Sequence, residues 1–326
     1  MNFLRYVLMI LVIALLSNCS SKSNKPELSP IIREYVIDEI DLVPEGIAYS
    51  KKYDAFYLTG VGKFKIVQVD RKTGVQTDFI QENAFGYMPG AGIYVDKAEK
   101  VLYAIGGYYR IADSLSTLFS FDLKTRKLIR KYALNDGRDH FLNDLIEDGK
   151  GNLYLTDSKD SSIHILKKNS DSLELFYKSP EIEFPNGIAI SDDDKKLYIA
   201  SIPKGVRIMD IATKTILNQQ DTLGISQGID GLEFYNGHLF GVQNSVGANS
   251  FNFRKLLLNN EKDSILGVEV IDSHTPKLDV PLTFCITEDE AVVIGNSNLQ
   301  YLNQETFEFA VADSIKKSSL LVYKIN

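Results

Sequence analysis

One pattern recurs along this chain of 326 residues and limits its possible folds more than any other feature. An extended lead-in precedes a short apolar strand, then a polar turn, then a second apolar strand that usually carries an aromatic residue. The clearest copy opens on Phe184-Pro185-Asn186-Gly187, continues through a first strand at 188–190 and the turn Asp192-Asp193-Asp194, and ends in a second strand at 197–200. β-Branched and aromatic residues set between turn formers predict a tight antiparallel hairpin. The same phase returns at 44–58, 90–104, 142–155 and 229–241, and more weakly at 282–294.

After several of these hairpins a third apolar stretch follows, as at 65–70, 117–122 and 205–210. It meets a turn such as Arg71-Lys72-Thr73-Gly74, beyond which a fourth strand begins. Four strands per unit, repeated every 40–50 residues or so, predict the blades of a propeller. No long amphipathic helix competes. The expected fold is therefore all-β: a six-bladed β-propeller of four-stranded antiparallel blades over residues 31–326. A β-sandwich array is the alternative, and six near-regular repeats argue against it. A ring must close or leave an unpaired edge. The apolar stretches at 31–37 and 320–325 belong to no repeat, so both are expected to join one blade.

Composition is that of a soluble globular protein, 44% hydrophobic and 24% charged. A formal net charge of −7 without a basic stripe argues against a nucleic-acid partner. Near the start, Arg5 precedes an apolar run at 6–16 that is too short to span a bilayer as a helix. It leads into Leu16-Ser17-Asn18-Cys19, which resembles the lipobox of a bacterial lipoprotein. That resemblance implies a signal peptide over 1–18, lipidation at Cys19 and a flexible tether over 19–30. The mature protein would then sit at the bacterial cell envelope, touching membrane through its lipid anchor only. The one other cysteine, Cys285, is expected to pack as a small buried hydrophobe. His140, His164, His238 and His274 show none of the tight spacings that zinc motifs need. A monomer is expected.

In a propeller the innermost strands line a central channel, so equivalent positions at their starts converge at one mouth. Here those positions carry Glu45, Asn143, Asn186 and Asp230: a carboxylate, two amides and a second carboxylate. Calcium takes several such oxygens with tolerant geometry. Asn186 and Asp230 each precede glycine, where both residue types also serve plain turns. Glu45 is the more telling member, because glutamate is a poor turn former and a lone carboxylate at such a place is costly.

Pro44-Glu45-Gly46, Asn143-Asp144, Pro185-Asn186-Gly187 and Asp230-Gly231 follow one another in that order, one to a blade. In this the region from about Glu45 to Gln243 resembles the regucalcin/gluconolactonase/luciferin-regenerating-enzyme group of six-bladed propellers, and the order is similar to that of the paraoxonases. The resemblance implies Glu45, Asn186 and Asp230 as metal ligands, with Asn143 a ligand or a substrate contact. It implies hydrolysis of a small-molecule lactone or related ester, with Ca2+ or another divalent cation as cofactor and Asp230 also acting as general base. His140 is a rival base and Arg138 a candidate substrate contact. Phe141 stands where the gluconolactonase-like group often carries arginine, which points to a less polar substrate. No Gly-x-Ser-x-Gly elbow supports a serine hydrolase. The alternative is a non-catalytic propeller that binds a ligand or protein at the same face around a structural metal. The Asn-rich stretch at 246–266 is expected to form a rim loop or lid.

Overall fold

The computed structural model describes residues 30–111, 115–244, 251–273, 275–311 and 314–325. The apolar N-terminal segment, Cys19 and His274 lie outside them. The described strands form six separate four-stranded antiparallel sheets, each built from strands in sequence order except the last. This is the six-bladed propeller. The inner strands of blades 1 to 6 are Pro44–Ser50, Gly90–Val95, Leu142–Glu147, Pro185–Ile190, Ile229–Tyr235 and Phe284–Ile286.

The burial gradient across a blade follows from stacking. A middle strand has a neighbouring blade against each face, so all six residues of Ala55–Gly60 and all five of Leu153–Asp157 are buried. An outer strand such as Leu128–Leu134 meets solvent and has no buried residue. The core is correspondingly divided into clusters that lie between blades. Tyr57, Ile66 and Phe79 of blade 1 pack with Ile93, Phe119 and Phe121 of blade 2. Ile163 of blade 3 meets Ile188 and Ile199 of blade 4. Cys285 belongs to the cluster joining blades 6 and 1, with its thiol buried and reduced.

Turns between third and fourth strands reuse one device. Asp70 accepts from the Thr73 amide at 2.8 Å and its hydroxyl at 2.7 Å. Asp122 with Thr125 and Asp210 with Thr213 repeat this in blades 2 and 4. A short polar side chain replaces strand pairing there and reverses the chain.

Closure is made in blade 6. Its order from the channel outward is Phe284–Ile286, Glu290–Asn296, Ser319–Lys324 and then the N-terminal Ile31–Val36. The Ile37 amide adds a bond to the Ser318 carbonyl at 2.7 Å, and Tyr35 and Ile37 are both buried. Both orphan segments are thereby paired. The stretch expected to form a lid differs from expectation: Asn252–Leu258 is the third strand of blade 5 and Ile265–Asp272 is the fourth, while 245–250 lie outside the described residues. Alternating burial along 254–258 is what the Asn-rich composition concealed. The segment that reaches the channel mouth is instead the insertion between the second and third strands of blade 6, which carries Leu299, Gln304 and Phe307.

Candidate functional site

In blades 1 to 5 the inner strand loses register with its partner after its first paired residue, between Pro44 and Ile47, Gly90 and Ile93, Leu142 and Leu145, Pro185 and Ile188, and Ile229 and Leu232. A bulge re-aims the residues it contains. Those residues are Glu45-Gly46, Ala91-Gly92, Asn143-Asp144, Asn186-Gly187 and Asp230-Gly231. The first of each pair lines one cavity of about 330 Å³ at the channel mouth. The second faces the adjacent inner strand. A Cβ on Gly187 would lie 2.7 Å from the Leu232 amide nitrogen, and one on Gly231 would lie 2.8 Å from the Thr283 Cα, so glycine is what lets the blades approach. Blade 3 has Asp144 there instead. Its carboxylate accepts from the Leu145 amide at 2.8 Å and from the Ile188 amide of blade 4 at 3.0 Å, stitching the two inner strands together.

Glu45, Asn143, Asn186 and Asp230 thus meet on the floor of one cavity, where Asn244 joins them. Asn244 donates to one oxygen of Asp230 and, at 2.8 Å, to the Pro281 carbonyl. Asn143 Nδ2 donates to Ser158 Oγ at 2.9 Å, and that hydroxyl donates to the Pro185 carbonyl at 2.6 Å. The Nδ2 end of the Asn143 amide is thereby held away from other partners. Three oxygens on this floor are sealed from solvent and have no hydrogen-bond partner: Glu45 Oε2, Asn186 Oδ1 and Asp230 Oδ1. Buried polar atoms are ordinarily paired, and an exception asks for an explanation such as an ion. Burial, then the Asp230 and Asp144 charges, drives the Glu45 carboxyl well above its usual range. Burial also pushes Asp230 up to about 7, against the hydrogen bond from Asn244 and with repulsion from Asp144. Two carboxylates and two amide carbonyls, crowded and short of positive charge, fit a hard divalent cation.

The walls are of another kind. Tyr109, Phe141, Phe184, Phe307, Val280 and Leu299 surround the mouth. Tyr109 packs edge-on against Phe141 at 5.2 Å and Phe184 at 6.1 Å, while Phe307 is held between Phe64 at 4.8 Å and Tyr108 at 5.7 Å. Phe184 and Val280 occupy left-handed backbone, φ 47° and 54°, as does Val43 at φ 50°. Each immediately precedes a proline at or shortly before the start of an inner strand. For bulky residues this conformation costs about 1–2 kcal/mol. Of the wall, sequence reasoning singled out Phe141 alone. A large apolar residue before proline at one phase in three repeats was the available signal for Phe184 and Val280; Tyr109, Phe307 and Asn244 carry no comparable mark.

His140 and Arg138 do not line the cavity. His140 is buried, with Nδ1 2.5 Å from Asp157 Oδ2 and Nε2 2.8 Å from Asp136 Oδ1. Burial opposes its charge, but the two carboxylates outweigh that and raise its pKa. With a carboxylate at each ring nitrogen, neither is open to a water in the cavity. Arg138 is exposed and turned to Asp136 and, at 2.8 Å, to Asp160. His140, Asp157, Asp160 and His164 bring ligand atoms within 4.8 Å of one another, an arrangement that could hold a metal ion. The two histidines are far apart in the chain, so their spacing gave no sign of it; pairing of the blade 3 strands brings them together. Asp160 is already paired with Arg138 and Lys178.

Among solved structures, the fold is similar to a gluconolactonase from Xanthomonas campestris (TM-score 0.60, 13% identity, 86% of each chain covered). It is also similar to a luciferin-regenerating enzyme (0.60, 15%, 90% of this chain and 97% of that one) and to a PQQ-bound aldose sugar dehydrogenase from Streptomyces coelicolor (0.61, 14%, 90% and 97%). At these identities the likeness establishes the fold alone. No curated protein matches the sequence. The sequence model described as "SMP-30/Gluconolactonase/LRE-like region" matches residues 43–234, more than half of the chain and the stretch that carries all four oxygen donors of the floor. The chain belongs to the SMP-30/gluconolactonase/LRE-like family.

Proposed function

We propose that this propeller hydrolyses a small-molecule lactone or related ester and depends on a divalent cation, Ca2+, held at the cavity floor by Glu45, Asn143, Asn186 and Asp230. The observation that carries the reading is the set of three sealed, unpartnered oxygens that three different blades aim into one cavity. Membership of a gluconolactonase-like family supports the lactone as substrate. A cation bound there would polarise the ester carbonyl and stabilise the charge that develops on its oxygen. The chain's own groups supply the rest. Asn244 fixes one oxygen of Asp230 and leaves Oδ1 without a hydrogen-bond partner, so the same carboxylate is the candidate general base as well as a ligand. Ser158 holds the Asn143 amide in one orientation, so its carbonyl serves as ligand or substrate contact without reorganisation. The apolar walls exclude competing water from above.

Calorimetric titration of chelator-treated protein with Ca2+, beside a panel of lactones and aryl esters, tests the reading. Saturable binding that Glu45→Gln and Asp230→Asn each weaken by at least about tenfold, together with cation-dependent turnover, is expected. Absence of binding sinks the metal centre. Binding without turnover of any panel member sinks the hydrolase and leaves a ligand-binding propeller.

A further inference from the structure

The cavity is divided by chemistry. Most polar side chains lie on its floor, and the wall above is hydrocarbon and aromatic ring, with the Gln304 amide and the Tyr109 hydroxyl the polar side-chain groups outside the floor. Among the described residues, the lining holds no lysine, arginine or histidine. None of the cations nearest along the chain is in the lining: Arg138 is held by Asp136 and Asp160 and Lys159 by Asp139 at 2.9 Å, while the Arg110 guanidinium and the Lys159 ammonium lie 4.8 Å and 6.0 Å from the centre of the Tyr109 ring. A polyhydroxylated ring needs a partner for each hydroxyl that it buries, since an unpaired one is costly. One amide and one phenol cannot pair with them all.

Two further observations show that the apolar wall is built rather than incidental. Phe184 and Val280 keep bulky side chains where the backbone favours glycine, and both residues line the mouth. Strain of this kind persists only where the surrounding structure enforces it, and it gathers at ligand sites. The blade 6 insertion is fixed from beneath by Leu302 packing on Val43 and Val61, and it thereby delivers Leu299 and Phe307 to the wall.

We propose that the mouth is a subsite for a hydrocarbon tail, so that the substrate class is a lactone or ester bearing an alkyl or aryl group rather than a sugar lactone. The proposal rests on the reading of the floor as the reacting end, with Tyr109, Phe141, Phe184 and Phe307 gripping the tail. At about 330 Å³ the cavity lies near the lower end of ligand-site volumes and suits one tail of medium length.

The test takes the Ca2+-loaded full chain and a series of γ-lactones with tails from none to about seven carbons, beside glucono-δ-lactone. Turnover is one readout. The other is calorimetric binding of 2-alkylcyclopentanones of matching tail length, which cannot be hydrolysed. Binding is expected to tighten about threefold to fourfold per added methylene over the first several carbons. Phe307→Ala, and Phe184→Gly, which also suits the left-handed backbone, should each flatten that dependence. Affinity indifferent to tail length, or glucono-δ-lactone turned over better than every tailed lactone, overturns the subsite and leaves the hydrolase standing. Tail-dependent ketone binding without turnover of any lactone overturns the hydrolase and leaves the subsite standing.

Discussion

At the scale of single residues, the channel concentrates negative charge that the fold does not neutralise. Beneath the floor a second cavity of about 30 Å³ is lined by Asp144 and Glu233. Burial, with Asp144 adding to it, pushes the Glu233 carboxyl up to about 8, and burial brings Asp144 to about 6. A carboxyl whose pKa is higher folded than unfolded favours the folded state while protonated. That contribution is whole below the unfolded value of about 4.3 and drains away as pH rises through the folded value. The protein should therefore lose stability between roughly pH 4 and pH 8 on account of this group. Glu233→Gln should flatten the loss and raise stability at pH 8 by a few kcal/mol, since each tenfold difference in proton affinity between the two states is worth about 1.4 kcal/mol. Urea midpoints for both proteins at pH 5 and pH 8 check this; equal midpoint differences at the two values would exclude it. Glu45 could be recognised in the sequence because glutamate is a poor turn former, and Asp230, whose place before glycine also suits a plain turn, because it shares the phase of Glu45 in the repeat. Glu233 could not, since its environment is made by residues of the five other blades.

At the scale of the element, the repeated unit is an inner-strand bulge, which in blades 1, 4 and 5 pairs a cavity-facing carboxylate or amide with a glycine. Gly187→Ala should force the inner strands of blades 4 and 5 apart, because its Cβ meets the backbone of Asp230 and Leu232. A loss of about 1–3 kcal/mol is expected for overpacking against backbone, together with weaker Ca2+ binding as Asn186 and Asp230 separate. Gly137→Ala is the control. Its φ of 81° carries the left-handed cost, but nothing lies within 4 Å of the new Cβ, so only about 1 kcal/mol should be lost and cation affinity should hold. Thermal denaturation and calorimetry on both variants separate the two effects. These hairpins were legible because strand pairing is local and leaves a period-two pattern. The lid expectation failed for a related reason. Asparagine content suggested a loop at 246–266, whereas in the strand Asn252–Leu258 the polar side chains at its start are themselves buried and tied to neighbours, as Arg254 is to Asn252 and Gln243.

For the whole molecule, closure by a strand from the opposite end of the chain is the vulnerable joint. A chain beginning at Asp38 should lose the burial of Tyr35 and Ile37, each worth about 1.5–3 kcal/mol, and should expose the edge of Ser319–Lys324 to pairing with other copies. Lower thermal stability with higher-order species on gel filtration is expected; an unaltered midpoint and an unaltered elution volume would show that the ring does not need this strand. The count of blades, the closing strand and the meeting of Glu45, Asn143, Asn186 and Asp230 at one cavity were all available from the residues alone, because each depends on the phase of a local repeat and on the one geometric fact that equivalent positions in a ring converge. The aromatic wall, the His140–Asp157–His164 cluster and the setting of Glu233 were decided by tertiary structure. They join side chains that local pattern does not relate, carried to one place by bulges, left-handed turns and the packing of blade on blade, and burial, charge and shape arise only once those surfaces meet.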